Sequence, residues 1–348
     1  MSLGSDVTAR KSARPWLGRR LPLVFLLFGV GLFALVLSRL DLTAILSHLR
    51  RAGWMLLPAF LAFIGNLSCS AAAWYQTLEP TTRPSFPKLF AIFWAGMAIN
   101  GVTPGGAAGE VLKGSLVADQ AGKDEALTSL VVYNYLTAMS VLAFTALGPL
   151  PALIWLDLPG RVLAGLFGVA ACFGVVLLGL RLLLRKGLAG RALSLVARLP
   201  FVRIDNIEQK RKRAEQVDAR VWEYRRRRPG AFRRMILFAL LVRVCMTLEL
   251  YFFLLALMPE RSALWLAAFA LLAQSASQLI GWIGVLVPGR VGVMESGVAG
   301  VFALLGLDPT VGMSAALLRR VRKLTAIGIG LLIGTALGAK RGRAQRDA

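Results

Sequence analysis

The stretch Asn100-Gly101-Val102-Thr103-Pro104-Gly105-Gly106-Ala107-Ala108-Gly109-Glu110 interrupts an apolar run that begins near residue 89. Pro104 removes a backbone donor and the glycines relax the dihedral restrictions, so a helix through 89–103 has to break here. That run is shorter than the roughly 18 to 20 residues an apolar helix needs to cross about 30 Å of hydrocarbon. Broken backbone at membrane depth is stable only where protein or a wet cavity satisfies its freed polar groups. Residues 89–118 are therefore expected to dip into a bilayer and return.

Outward from this break lie longer apolar runs at 21–38, 54–74, 126–148, 161–184, 235–258 and 262–287, close to or above spanning length. Of the 348 residues, 57% are hydrophobic and 17% charged, and the mean hydropathy is +0.65. Only lipid can solvate that excess. The fold class is all-α: a polytopic transmembrane helical bundle, not a soluble enzyme. Run 21–38 follows Arg10, Lys11, Arg14, Arg19 and Arg20, as a secretory signal would, but it is long for one. Ser38-Arg39-Leu40-Asp41 is no cleavage site, so the run is expected to stay as an anchor.

Between residues 203 and 234, twelve basic residues face five acidic ones, which makes this segment cytoplasmic by the positive-inside rule. The basic N-terminus and the tail with Lys340, Arg341, Arg343 and Arg346 belong on the same side. Each half must then cross an even number of times. A full crossing by 89–103 would violate this, and a re-entrant one satisfies it. The second half repeats the device, since 262–287 leads into Pro288-Gly289-Arg290-Val291-Gly292-Val293-Met294-Glu295. With this segment re-entering from the opposite face, 235–258 and 313–338 are the two crossings. Two Pro/Gly-broken, re-entrant segments in inverted-repeat relation point to a transporter's central site.

The expected organisation is a basic cytoplasmic N-terminus (1–20), a first membrane half (21–184) broken near 104–110, and a basic cytoplasmic interfacial loop (185–234). A second membrane half (235–338) broken near 288–295 and a basic tail (339–348) complete it. The net charge of +23 is assigned to topology and anionic headgroups, with no nucleic-acid partner expected. Within 188–234, apolar residues mixed with dense arginine describe a helix lying on an anionic leaflet.

An ionisable side chain in apolar surroundings costs about 2.5 to 3.5 kcal/mol on insertion scales and is a functional candidate by default. Glu110 and Glu295 lead, each following a backbone break. Their bland alternatives are an ion pair of Glu110 with Lys113 one turn on, and of Glu295 with Arg290, Arg319 or Arg320. Asn100 is placed to cap freed backbone or to touch a ligand. Arg243 and Glu249 are six residues apart, off one another's helix face, and so need partners on other helices.

Arg319, Arg322 and Lys323 share a face of the last run while Arg320 points elsewhere. They form either a pocket for phosphate headgroups or, for Arg322 and Lys323 especially, a set of side chains snorkelling to the interface. Cys69, Cys172 and Cys245 have no paired spacing and are read as apolar fillers. His48 stands alone, no nucleophile elbow, zinc or phosphate-loop motif is present, and no metal or cofactor is expected.

The two Pro-Gly motifs together, followed by Gly306-Leu307-Asp308-Pro309 and Leu318-Arg319-Arg320, resemble the lysylphosphatidylglycerol synthase transmembrane-region family over about residues 20–340. The resemblance implies a flippase-like inner-membrane protein that moves a lipid, or a lipid-linked or aminoacylated headgroup, between leaflets. By position it carries that role to Pro104, Gly105, Gly106, Glu110, Pro288, Gly289, Glu295 and Arg319. Arg290 departs from the usual second Pro-Gly-Gly. Larger members add an aminoacyltransferase domain; about ten residues follow the last apolar run here, so no synthase activity is expected. The expected partners are membrane lipids with anionic headgroups, and a homodimer is compatible with this reading. The alternatives are a non-transporting scaffold that recruits a lipid- or envelope-biosynthesis enzyme through the basic loop and, more weakly, a lipid-modifying enzyme.

Overall fold

The computed structural model describes residues 53–103, 108–156, 207–283 and 293–344, with Arg50 and isolated positions between 160 and 175. The run 21–38, most of 161–184, His48, Cys172 and the two breaks at 104–107 and 284–292 lie outside the described residues.

Every longer described element is an α-helix. They are α1 (Leu56–Thr77), α2 (Phe86–Val102), α3 (Ala108–Ala121), α4 (Lys123–Leu147), α5 (Ile207–Arg227), α6 (Pro229–Leu257), α7 (Ala263–Ile283), α8 (Val293–Leu304) and α9 (Pro309–Ala344). Among the described residues, five stretches are long and apolar enough to cross a membrane: Gly53–Thr77, Lys123–Trp155, Pro229–Leu257, Ala263–Gly281 and Pro309–Ala339. Phe86–Val102 is apolar but shorter, as the early break at Pro104 requires. Only 22% of the most apolar window of Pro309–Ala339 is buried in the protein, so lipid must cover the rest. Leu61, Leu127, Leu237, Val244 and Leu332 accordingly point outward.

Local chemistry sets several helix starts. Pro229 and Pro309 open α6 and α9, where a missing N–H costs nothing. Asp308 caps α9, accepting from the Thr310 N–H at 2.9 Å and its hydroxyl at 2.7 Å. Those bonds hold its carboxyl below the ordinary range.

Among the described residues α1 and α6 share the most extensive contact, and α2 lies along α9. Trp94 Nε1 fixes the second pair by donating to the Ala326 carbonyl at 2.8 Å. One end of the bundle gathers the end of α1, the start of α2, the α3–α4 junction and the end of α5. Glu125 accepts from the Glu79 N–H at 2.6 Å and the Thr82 hydroxyl at 2.8 Å, while Lys88 donates to Gln120 at 3.2 Å. Tyr224 at the end of α5 donates to the Gln76 carbonyl at 3.0 Å, and Arg228 to that of Leu78 at 2.8 Å. Burial pushes the Tyr224 phenol up to about 12, so it remains a donor at any physiological pH. Toward the opposite end, Phe269 near the start of α7 meets Phe302 near the end of α8 edge to face at 4.8 Å.

Cys69 on α1 and Cys245 on α6 are free cysteines that lie beside one another across the main helix pair, although 176 positions separate them in sequence. Sequence spacing cannot reveal a pair made by two helices from different halves. Mild oxidation of a Cys172→Ser variant with copper phenanthroline is expected to join Cys69 to Cys245, seen as one cross-linked peptide pair by mass spectrometry. Abundant links between separate chains instead would contradict the α1–α6 register.

Candidate functional site

The last turn of α2 and the first of α3 face each other across the Pro104 break, and Asn100 ties them together. Its Oδ1 accepts from the Gly109 N–H at 2.7 Å and its Nδ2 donates to Glu110 Oε1 at 3.0 Å. The side chain thus satisfies a backbone donor freed at the start of α3, the capping role open to it. Glu110 also accepts from Asn134 Nδ2 on α4 at 3.0 Å and pairs with Lys113 Nζ at 2.5 Å.

This ion pair is not an exposed one, because Lys113 is only 3% exposed. Its ammonium lies 4.8 Å from the ring centre of Phe93, 5.6 Å from Tyr133 and 5.7 Å from Trp74. Three ring faces and one carboxylate replace the water the ammonium gives up. A Cβ on Gly109 would overlap the Gly96 carbonyl and the Asn100 side chain, so only glycine lets α3 come this close to α2.

Tyr133 passes the polar environment onward. Its ring walls the Lys113 site, while its hydroxyl lies among Ser70, Thr137 and the Arg243 guanidinium of α6. Two turns on, Glu249 is buried and accepts from Arg322 of α9 at 2.7 and 2.8 Å. The Arg322 guanidinium also lies 4.3 Å over the Phe63 ring. Arg319 donates to Gln274 Oε1 of α7 and, at 3.4 Å, to the Met246 carbonyl of α6. Charged and polar groups therefore run through the bundle from the α2–α3 junction to the packing of α6, α7 and α9.

Asn100, Glu110 and Lys113 form one cluster, and Arg243, Glu249 and Arg319 belong to the continuation. Glu249 finds its partner on another helix, Arg322 of α9, while the buried Arg243 keeps an Nε without a hydrogen-bond partner among the described residues. Arg322 corrects the snorkelling expectation, since its guanidinium turns inward to Glu249. Arg320 is half-buried and engaged. Pro104, Gly105, Gly106, Pro288, Gly289 and Arg290 lie outside the described residues; Glu295 lies on α8, its side chain outside them. Gln274, Asn134 and the Lys113 aromatics escaped sequence reasoning. The first two are polar residues in apolar runs, a signal that was legible. Trp74, Phe93 and Tyr133 have core spacing and carry none.

Spanning apolar helices around an inward-facing charged seam define a multi-pass integral membrane protein. The chain matches the model of the lysylphosphatidylglycerol synthase TM region family over residues 23–330, and it belongs to that family. No curated protein and no solved structure matches it. Membership makes it a membrane protein of lipid-related function.

Proposed function

We propose that this protein moves a lipid, or a lipid-linked headgroup, between leaflets of the inner membrane, with the headgroup following the polar seam and the acyl chains remaining in lipid. The observation that carries this reading is the charge held inside the bundle, the Glu110–Lys113 pair at the α2–α3 junction and the Glu249–Arg322 pair where Arg319 reaches from α9 to α6 and α7. Charge at this depth is expensive and marks substrate paths in membrane proteins. Re-entrance of α2–α3 is part of the proposal, supported by Lys88 and Gln120 meeting where α2 begins and α3 ends. The basic loop and both termini face the cytoplasm. The chain acts as a transporter rather than an enzyme, on lipids with anionic headgroups.

Glu110 is the gating carboxylate, because one side chain joins α2, α3 and α4 through Asn100, Lys113 and Asn134. In vesicles carrying a fluorescent phospholipid, Glu110→Gln is expected to slow leaflet exchange at least about tenfold, with helical circular dichroism unchanged. Glutamine keeps a hydrogen-bonding carbonyl and the rings still hold the Lys113 ammonium. Wild-type exchange rates in both Glu110→Gln and Glu295→Gln would sink the site assignment. Deleting 203–228 tests the scaffold alternative: a transporter loses mainly lipid preference, a scaffold its whole function.

A further inference from the structure

Cys69 on α1 and Cys245 on α6 are both free thiols. Gly65 and Cys69 stand four residues apart on α1 and so share a helix face. A Cβ at Gly65 would lie 3.2 Å from the Cys245 sulfur, so the glycine makes the recess in which that sulfur rests. A helical side chain leans back over the turn N-terminal to its own Cα, which brings the Cys69 thiol onto the same turn.

The register of the two helices puts the pair at one depth. Arg234 Nε of α6 donates to Gln76 Oε1 of α1 at 2.9 Å near one end of the bundle. Gly65 stands eleven residues before Gln76, and Cys245 eleven residues after Arg234. At about 1.5 Å per residue both lie roughly 16 Å from that bond, and Cys69 roughly 10 Å from it. In a hydrocarbon layer about 30 Å thick this is deep in the apolar region.

Both thiols are half-buried. Leu241 and Leu248, one turn to either side of Cys245, and its neighbour Val244 are exposed among the described residues, so the open side of the pair faces lipid. A charged, water-borne oxidant such as glutathione disulfide is costly to bring there. A lipid-soluble quinone is not.

We infer that Cys69 and Cys245 form a reversible dithiol–disulfide couple, oxidised from the lipid by a membrane quinone. Two S–H bonds break and one S–S bond forms; both protons and both electrons pass to the quinone, which leaves as the quinol. The new bond joins α1 covalently to α6 within the most extensive helix contact among the described residues. Moving a lipid requires packed helices to shift against one another, so the oxidised protein is the arrested form. This last consequence rests on the translocation reading; the redox couple does not.

The test uses full-length Cys172→Ser protein, reduced with tributylphosphine, freed of reagent and placed in phosphatidylcholine vesicles. The oxidant is decylubiquinone, whose fully substituted ring leaves no carbon for a thiol to add to. Loss of both thiols, a Cys69–Cys245 peptide pair by mass spectrometry and about one quinol per chain are expected. Glutathione disulfide is expected to form the bond at least about tenfold more slowly. Thiols left intact by the quinone, or glutathione disulfide acting as fast, overturn the couple. Cys69→Ser in the same background should yield neither the peptide pair nor quinol, with Cys69→Ala serving if the serine variant does not fold; undiminished quinol overturns the assignment.

Exchange of a fluorescent phospholipid is then compared in oxidised and reduced vesicles. Oxidation is expected to slow it at least about tenfold, and tributylphosphine to restore it. An unchanged rate overturns the arrest. Reduced protein that moves no lipid would sink translocation, while the thiol and quinol counts still decide the couple.

Discussion

Replacing Glu249 by alanine is expected to destabilise the folded protein by about 3 to 5 kcal/mol, among the largest effects of any single substitution in the chain. Glu249 is 2% exposed, and its Oε1 accepts two bonds from Arg322, at 2.7 and 2.8 Å. Removing it leaves the Arg322 guanidinium, among the described residues, with the Phe63 ring face. The guanidinium cannot shed its charge, and the bundle offers no bulk water to receive it. Unfolding in mixed micelles, followed by circular dichroism, measures the loss. Arg322→Met alone leaves Glu249 uncompensated and is expected to be costly too. The double variant should recover a large part of either loss, because a buried pair replaced by apolar side chains of similar volume is often nearly neutral. A single-variant effect below about 1 kcal/mol would mean that the pair is solvated like a surface salt bridge.

Much of the fold was legible because the solvent is lipid. A run such as 235–258 is long, apolar and without proline, and the structure returns it as α6 from Pro229 to Leu257. Pro104 and its glycines announced an interruption, and α2 ends at Val102 with α3 beginning at Ala108. The intrahelical neighbours of the site were equally readable: Glu110 and Lys113 are three residues apart, and Asn100 stands a turn before the break.

Contacts between halves were not readable. The pairing of Glu249 with Arg322 spans 73 residues, and that of Cys69 with Cys245 joins two runs that look alike in composition. Hydropathy tells which residues meet lipid or protein but not which apolar helix lies against which. That choice is made by side-chain packing and by a few polar bonds, such as Trp94 to Ala326. The aromatic surroundings of Lys113 were hidden for a related reason. An aromatic residue that solvates a cation and one that fills a core occupy the same kind of position in sequence.

Gly109→Ala is expected to abolish transport and to destabilise the protein by about 3 kcal/mol, the upper range for overpacking. The nearest obstacle to the new methyl group is the Gly96 carbonyl oxygen on α2, a backbone atom that no rotamer change can move. The next is the Asn100 side chain, whose Oδ1 accepts the Gly109 N–H. Relief therefore requires α3 to move away from α2, which breaks the Asn100 bond and carries Glu110 off Asn100 and Asn134. Alanine is a better helix former than glycine, so propensity alone would favour the substitution by about 1 kcal/mol. Gly328→Ala on α9 isolates that propensity term, since a Cβ there meets nothing within 4 Å. The Gly328 variant should unfold at the wild-type denaturant concentration or slightly above it, and transport normally. Two variants equal in stability and in transport would show that the close approach of α3 to α2 is dispensable, and with it the role of the Asn100–Glu110 junction.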